Sequence, residues 1–146
     1  MTDTGPETAP LVSVVVPVKN EEGNVAPLIA EIANALESEP AREAGMSFEM
    51  IFIDDGSTDS TGLILANLRE TYPMLRILRH PASGGQSAAI RSGVSAAHGT
   101  YIATLDGDGQ NNPAFIPAMI TLLQRGEGRV GIVQGQRVGR KDTAFK

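Results

Sequence analysis

Four short runs of β-branched and aliphatic residues, each followed by a loop, constrain the fold more than any other feature of the sequence. They cover residues 11–18, 48–53, 74–79 and 101–105. Nearly continuous apolar runs of this length are typical of strands that are buried on both faces. Segments with helical periodicity lie between them. This alternation predicts an α/β fold in three αβα layers, with a mostly parallel sheet, and a fifth short strand is predicted over residues 130–134.

The helical segments have recognisable starts and stops. We expect the first helix to be capped by Asn24, and its apolar stripe consists of Val25, Leu28, Ile29, Ile32 and Leu36. Residues 40–45 contain Pro and Gly, which predicts a connection without a helix. Further helices are predicted up to about Thr71, over residues 86–97, and from Asn112-Pro113 onward, where Asn is the cap and Pro the first helical residue.

Length and composition indicate one domain and narrow its partners. The chain has 146 residues. Residues 1–10 are predicted to be a disordered tail and residues 11–146 to form the folded domain. With no Cys, a disulfide framework and a thiolate zinc site are excluded. The net charge of −5 argues against a nucleic-acid partner. No signal peptide or membrane-spanning run is visible, so we expect membrane contact to be peripheral or to depend on sequence beyond this chain.

Three polar loops leave the carboxyl ends of the predicted strands, where parallel sheets bind their ligands. They begin at Lys19, Asp54 and Asp106. The last contains Asp106-Gly-Asp108-Gly-Gln110, in which alternate residues can present oxygen atoms on one side. Oxygen ligands suit Mg²⁺ or Mn²⁺, and two neighbouring carboxylates repel each other unless a cation lies between them. The alternative is a turn, because Asp-Gly is a common turn dipeptide.

The other two loops are also acidic. Asp54 and Asp55 end the second strand, and one of them could accept a hydrogen bond from a nucleobase or a ribose hydroxyl. Helix capping is the alternative, although one cap requires one acid rather than two. Glu21 and Glu22 follow the first strand and could contact a base or ribose, or simply favour a helix N-terminus.

Three smaller features carry less weight. Residues 83–87 are predicted to form a turn that could contact a phosphate, but they lack the Lys of a P-loop. His80 and His98 have no partner that the sequence identifies. Six basic residues lie near the C-terminus and are expected either to be solvated or to meet an anionic partner: Arg125, Arg129, Arg137, Arg140, Lys141 and Lys146.

Taken together, the motifs resemble those of family 2 glycosyltransferases, whose fold is the Rossmann-like GT-A fold. Residues 17–21, Pro-Val-Lys-Asn-Glu, are similar to the family's first-strand signature, although Lys19 stands where the family has an aromatic residue. Residues 54–59, Asp-Asp-Gly-Ser-Thr-Asp, match a second motif, and Asp106-Gly-Asp108 matches the metal motif. Gln110, Pro113 and residues 135–137, Gly-Gln-Arg, resemble the polyprenyl-phosphate branch, which includes dolichol-phosphate mannose synthases.

The resemblance implies a role for each matched position. Asp106 and Asp108 would be catalytic, with Asp108 and Gln110 as ligands of Mg²⁺ or Mn²⁺. The nucleotide sugar, a GDP- or UDP-sugar, would be bound by Pro17, Lys19, Glu21, Ile53, Asp55, Asp106, Gly107, Asp108 and Arg137. The family's acceptor-binding part would lie beyond Lys146, so the chain is expected to be truncated at its C-terminus.

The implied reaction is inverting transfer of a hexose, expected to be mannose or glucose, to a polyprenyl or dolichyl phosphate at the cytoplasmic face of a membrane. Alternatives stay open at this point. The acceptor could be a sugar hydroxyl, or the fragment could bind the nucleotide sugar without transferring it. Two alternatives lie outside this family. The first is a dinucleotide-dependent oxidoreductase, but this sequence lacks the last Gly of the dinucleotide-binding fingerprint. The second is a haloacid-type phosphatase, in which the Asp motif would follow the first strand, whereas here it follows the fourth.

Overall fold

A computed structural model describes residues 9–126 of the chain. The four strands are β1 (Val12–Val18), β2 (Phe48–Asp55), β3 (Leu75–His80) and β4 (Tyr101–Thr104). The helices are α1 (Val25–Leu36), α2 (Glu39–Glu43), α3 (Thr61–Leu68), α4 (Gln86–Ala96) and α5 (Ile116–Arg125), with a 3-10 turn at Pro113–Phe115. Several predictions lie outside the described residues. They are the strand over residues 130–134, the roles of Arg137 and the other basic residues beyond Arg125, and most of the N-terminal tail.

The sheet is parallel throughout the described part, in the order β3-β2-β1-β4. The prediction of an α/β fold with a parallel sheet between helices is confirmed. β2 runs two residues further than predicted, because its ladder with β3 continues through the pairs Asp54–Arg79 and Asp55–His80. Both acidic residues therefore belong to the strand rather than to the loop after it, which fixes the direction of each side chain.

Alternation along the strands separates two apolar clusters, one on each face of the sheet. The larger cluster joins alternate residues of β1 and β2, such as Val14 and Phe52, to α1, α3 and α5. The smaller one joins Val15, Ile51 and Ile53 to Ala89 of α4. Helices thus cover both faces, and α4 is the described helix that covers the second face.

The α1 helix buries the predicted stripe of Val25, Leu28, Ile29, Ile32 and Leu36. Burying each such side chain contributes about 1.5–3 kcal/mol, so this stripe is enough to hold α1 on the sheet. The predicted cap is wrong in detail, because Asn24 makes no side-chain cap. Its carboxamide instead donates to Glu21 Oε1 at 2.7 Å.

The connection predicted over residues 40–45 is also wrong, since α2 begins at Glu39 and covers residues 40–43. Ser38 caps this short helix by accepting a hydrogen bond from the amide of Ala41, and Pro40 lies in the first turn, where its missing N–H is not needed. Asn112 caps the 3-10 turn before α5 as predicted, with its Oδ1 3.0 Å from the amide of Ala114. Within residues 9–126, no helix combines the length and the apolar character needed to cross a membrane.

The α4 helix approaches the sheet closely because its inner residues are small. A Cβ atom placed on Gly93 would lie 2.5 Å from Val15 Cγ1 and 2.7 Å from Ile53 Cδ1. Both neighbours are fully buried and cannot move aside freely. The contact between Gly93 and the sheet therefore sets the distance between α4 and the strands.

Gly93→Ala is expected to destabilise the fold by about 1–3 kcal/mol through overpacking, although Ala has the higher helix propensity. Urea denaturation would measure the change. Gly23→Ala is the matched control, because a Cβ there meets nothing within 4 Å, and it should change stability little. A Gly93→Ala protein as stable as the parent would contradict the close packing of α4.

Candidate functional site

The polar residues singled out in the sequence meet at one edge of the sheet, at the carboxyl ends of the strands. Parallel pairing brings the loops after β1, β2 and β3 together there, and β4 places Asp106 and Asp108 beside β1. A separate groove of about 700 Å³ lies between α1, α2 and α5, lined by residues such as Asn34 and Thr121. Among the residues that the structure describes, none of the predicted site residues lines that groove.

Asn20 joins the loop after β1 to the loop after β2. Its side-chain oxygen accepts hydrogen bonds from the amides of Thr58 (2.8 Å) and Asp59 (3.3 Å). Its own amide donates to Ser57 Oγ at 2.9 Å. Asn20 has a φ of 54°, a left-handed conformation that Asn tolerates better than most residues. The two loops are therefore held as one unit.

Glu21 and Glu22 extend this contact between the loops. The amide of Glu21 donates to Thr61 Oγ1 at 2.9 Å, and the carboxylate of Glu22 accepts from the amide of Ser60 at 3.0 Å. Asp59 accepts from both the amide and the hydroxyl of Thr61, and the hydroxyl is the main reason that its pKa lies below the usual range. Asp59 thus serves the start of α3, as the capping interpretation predicted, and Glu22 joins the loop after β1 to the same helix start.

The two acids at the end of β2 are both buried, and they face opposite sides of the sheet. Asp54 accepts a hydrogen bond from the amide of Ser57 at 3.0 Å, and a Cβ on Gly62 would lie 2.9 Å from its other oxygen. Asp54 therefore closes the turn before α3. Ile53, predicted to border the nucleoside, is fully buried in the smaller apolar cluster, so its side chain belongs to the core.

Asp55 lies beneath the loop that precedes α4 and accepts four hydrogen bonds. Oδ1 accepts from the amide of Gly84 (2.9 Å) and contacts His80 Nδ1 (2.7 Å), while Oδ2 accepts from the Ser83 hydroxyl and the Gly85 amide, both at 2.9 Å. The Gly84 amide contributes most to a pKa well below the usual range, against the opposing effect of burial. A carboxylate has about four acceptor positions, so a nucleobase could bond to Asp55 only by replacing one of these donors.

His80 is the functional candidate that sequence reasoning missed. Its ring lies between Asp55 and Ser92, with Nε2 2.9 Å from Ser92 Oγ. The sequence identified no partner for His80, because Asp55 is 25 residues away. The available signal was the parallel register, which pairs the last residue of β3 with the last residue of β2.

Asp106 and Asp108 lie in the loop after β4, and Gly107 between them is buried. Gln86 Nε2 donates to Asp106 Oδ1 at 3.2 Å, and the amide of Gln110 donates to Asp108 Oδ1 at 2.9 Å. A Cβ on Gly107 would lie 2.5 Å from Val18 Cγ1 and 2.8 Å from the carbonyl oxygen of Pro17. The glycine thus lets this loop lie directly against the end of β1, and Pro17 is buried beneath it.

The donor set at this loop fits a hard divalent cation. Within residues 9–126, the second oxygen of Asp106 and that of Asp108 accept no hydrogen bond, so both are available as ligands. In the described part of the chain, no three His, Asp or Glu side chains are grouped so that they could hold a metal ion by themselves. Two carboxylates suit a cation whose remaining ligands come from phosphate oxygens and water. Lys19 and Gln110 are exposed nearby, and Arg137 lies outside the described residues.

Comparison with known proteins agrees with the motifs. The sequence model described as "Glycosyl transferase family 2" matches residues 13–146. The chain is 42% identical over 137 residues to a dodecaprenyl-phosphate galacturonate synthase of Rhizobium johnstonii, covering 91% of this chain and 38% of that protein. It is 36% identical over 137 residues to an undecaprenyl-phosphate 4-deoxy-4-formamido-L-arabinose transferase of Pseudomonas fluorescens, covering 92% and 38%. The chain spans about two fifths of the length of these relatives.

Solved structures share the fold. Glucosyl-3-phosphoglycerate synthase from Mycobacterium tuberculosis, in complex with Mn²⁺, UDP and its product, is 26% identical with a TM-score of 0.58, over 82% of this chain and 41% of that one. A mannosyltransferase from Pyrobaculum calidifontis, with GDP-Man and Mn²⁺, is 25% identical with a TM-score of 0.55, over 69% and 28%. S. aureus TarS 1-349 with UDP-GlcNAc, at 22% identity and TM-score 0.64 over 85% and 37%, shows the fold alone. The predicted GT-A fold is confirmed.

The depressed pKa of Asp55 leads to a prediction about pH. The Asp55→Asn protein should be less stable than the parent at neutral pH by about 1–3 kcal/mol, because an amide nitrogen would face groups that donate hydrogen bonds. Since the folded-state pKa lies below the unfolded value of about 3.9, this contribution is complete above that pH and is lost as the pH falls toward the folded-state pKa.

Urea denaturation at several pH values would measure the stability gap between the two proteins. The gap should be present at about pH 5 and should shrink as the pH falls below about pH 4. Carboxylates that both proteins share and that do not contact residue 55, such as Glu49, cancel in the difference. A gap that widens as the pH falls below about pH 4 would contradict an ionised, hydrogen-bonded Asp55.

Proposed function

The chain belongs to glycosyl transferase family 2, and from this membership we propose that it is the nucleotide-sugar-binding part of an enzyme that transfers a sugar to a polyprenyl phosphate. The names of the two relatives both contain a polyprenyl phosphate and a sugar. The observation that carries the proposal is the pair Asp106 and Asp108 at the carboxyl ends of the strands, each with one carboxylate oxygen that accepts no hydrogen bond from residues 9–126. Membership in this family argues against both the oxidoreductase and the phosphatase alternatives.

The donor is proposed to be a GDP- or UDP-sugar, with its diphosphate beside Asp106 and Asp108. Mg²⁺ or Mn²⁺ bound there would neutralise the charge that develops on the leaving diphosphate. The joined loops after β1 and β2 form one wall of the nucleoside site and expose Lys19. Because the hydrogen bonds of Asn20, Glu21 and Glu22 hold these loops before any ligand binds, little order has to be gained on binding.

The chemistry of the attacking group supports the proposal of a phosphate acceptor. A hydroxyl must lose a proton as it attacks and needs a general base, whereas a phosphate monoester, with its second pKa near about 6, is already largely ionised at neutral pH. Within residues 9–126, His80 is bonded to Asp55 and Ser92, and His98 lies beside Glu49 at the opposite end of α4. Neither imidazole is placed to serve as that base.

The sugar and the place of reaction are also part of the proposal. We propose a hexose, delivered at the cytoplasmic face of a membrane, where a water-soluble donor would meet a lipid acceptor. The names of the relatives contain galacturonate and a formamido-arabinose, so they give no support to mannose or glucose in particular. Beyond the described residues, the sequence supplies Arg137, Arg140 and Lys141, which suit an anionic acceptor.

A transfer assay on membranes containing the full-length gene product tests this proposal. A panel of radiolabelled GDP- and UDP-sugars would be offered with a polyprenyl phosphate or, separately, with the matching polyprenol or a sugar acceptor. Label should enter the lipid fraction only with the phosphate. Asp108→Asn should lower the rate of transfer by about 100-fold or more. The control is Glu31→Gln, which makes the same change of charge at an exposed position of α1 and should leave the rate unchanged.

Other outcomes would decide between the alternatives. Label found only on a hydroxyl acceptor would refute the phosphate acceptor and leave a glycosyltransferase of another acceptor class. Donor binding with no transfer to any acceptor by the full-length protein would instead identify a non-catalytic binding module.

A further inference from the structure

A chain of contacts leads from the half-buried ring of His80 to the carboxylate of Asp106. It begins with the short contact between His80 Nδ1 and Asp55 Oδ1 (2.7 Å), which is supported from behind by Ser92 on α4. The His80 side chain is 22% exposed and that of Asp55 is 6% exposed, so water competes little for this contact. His80 therefore fixes the direction of the Asp55 carboxylate.

Asp55 in turn holds the loop before α4. Three consecutive residues, Ser83, Gly84 and Gly85, donate to its two oxygens. The loop is also packed from the side, because a Cβ on Gly56 would lie 2.7 Å from the amide nitrogen of Ser83. A loop of small, exposed residues would otherwise have many conformations, so the carboxylate selects the one observed.

Gln86 is the first residue of α4 and follows this loop directly. Its position is set by the loop, and its Nε2 donates to Asp106 Oδ1 at 3.2 Å. Within residues 9–126, this is the side-chain hydrogen bond that joins the start of α4 to the loop after β4. It occupies one oxygen of Asp106 and directs the other oxygen away from Gln86.

We propose that His80 is a positioning residue for the donor site, which places Gln86 through Asp55 and residues 83–85 so that Gln86 orients the Asp106 carboxylate. This inference rests on the proposed function, because it assumes that Asp106 meets the metal and diphosphate of a sugar donor. In metal sites, groups that orient the ligands affect affinity although they never touch the metal. His80 would act in this way indirectly, through Asp55 and the loop that places Gln86.

The opposite end of α4 provides a matched control. There Glu49, on the same face of β2 as Asp55, accepts from Ser13 Oγ (2.6 Å), the amide of His98 (2.7 Å) and Arg76 Nη1 (2.8 Å). Arg76 also donates to the carbonyl oxygen of Ala96 at the end of the helix. This anchor holds α4 on the sheet, and within residues 9–126 its hydrogen bonds do not reach the loops that carry Asp55 and Asp106, so its loss should affect stability alone.

The experiment measures binding of UDP and GDP by calorimetry, with and without Mn²⁺, together with the melting temperature. His80→Leu and Gln86→Leu should each weaken Mn²⁺-dependent binding by about three- to ten-fold. His80→Asn, whose side-chain amide can replace the Nδ1–H donor, should restore binding to within about two-fold of the parent. Arg76→Leu should lower the melting temperature without weakening binding.

The double variant His80→Leu/Gln86→Leu decides whether His80 acts through Gln86. If it does, the double variant binds no more weakly than the weaker single variant, because both changes release the same contact. Losses that multiply, or an equal loss of binding in Arg76→Leu, would overturn the inference. A parent that binds neither nucleotide in a Mn²⁺-dependent way would overturn the proposed function and this inference with it, whereas normal binding by His80→Leu would overturn the inference alone.

Discussion

The buried carboxylate of Asp55 is the constraint on which the ligand edge depends. An ionised carboxylate removed from water is costly unless donors surround it, and the nearest available donors are the amides and hydroxyl of residues 83–85 and the ring of His80. Satisfying this one group therefore shapes the loop before α4 and fixes where α4 begins. The Ser-Gly-Gly sequence suits this purpose, since Gly85 has a φ of 97° that other residues rarely adopt.

Glu49 repeats the same solution at the other end of β2. Positions 49, 51, 53 and 55 share one face of the strand, so two carboxylates flank two isoleucines beneath α4. Burial opposes ionisation of Glu49, but its hydrogen bonds with Ser13, His98 and Arg76 together keep its pKa below the usual value. The helix is thus bonded at both ends and packed through small residues in the middle. Such an arrangement gives the helix a defined position along the sheet.

Local patterns were sufficient to predict the four described strands, the apolar stripe of α1 and the cap at Asn112, because periodicity and capping act between near neighbours. They failed for α2, where the cap at Ser38 outweighed the Pro that suggested a break. They also treated Asp55 as a free ligand. Its actual partners lie 25 to 30 residues away, and only the strand register brings them together. Asp106 and Asp108 were located correctly at a strand end, but their metal and sugar-binding roles remain predictions.

We propose that the carboxyl edge of the sheet, around Asp106 and Asp108, binds the metal and diphosphate of a sugar donor. Mn²⁺ is paramagnetic and broadens the amide signals of nearby residues, so NMR spectra recorded with UDP or GDP and sub-stoichiometric Mn²⁺ would locate it. We expect signals of residues 84–86 and 106–110 to broaden first, and Asp108→Asn to abolish the effect. Selective broadening at the groove between α1, α2 and α5, around Asn34 and Thr121, with an unchanged strand edge, would contradict the account.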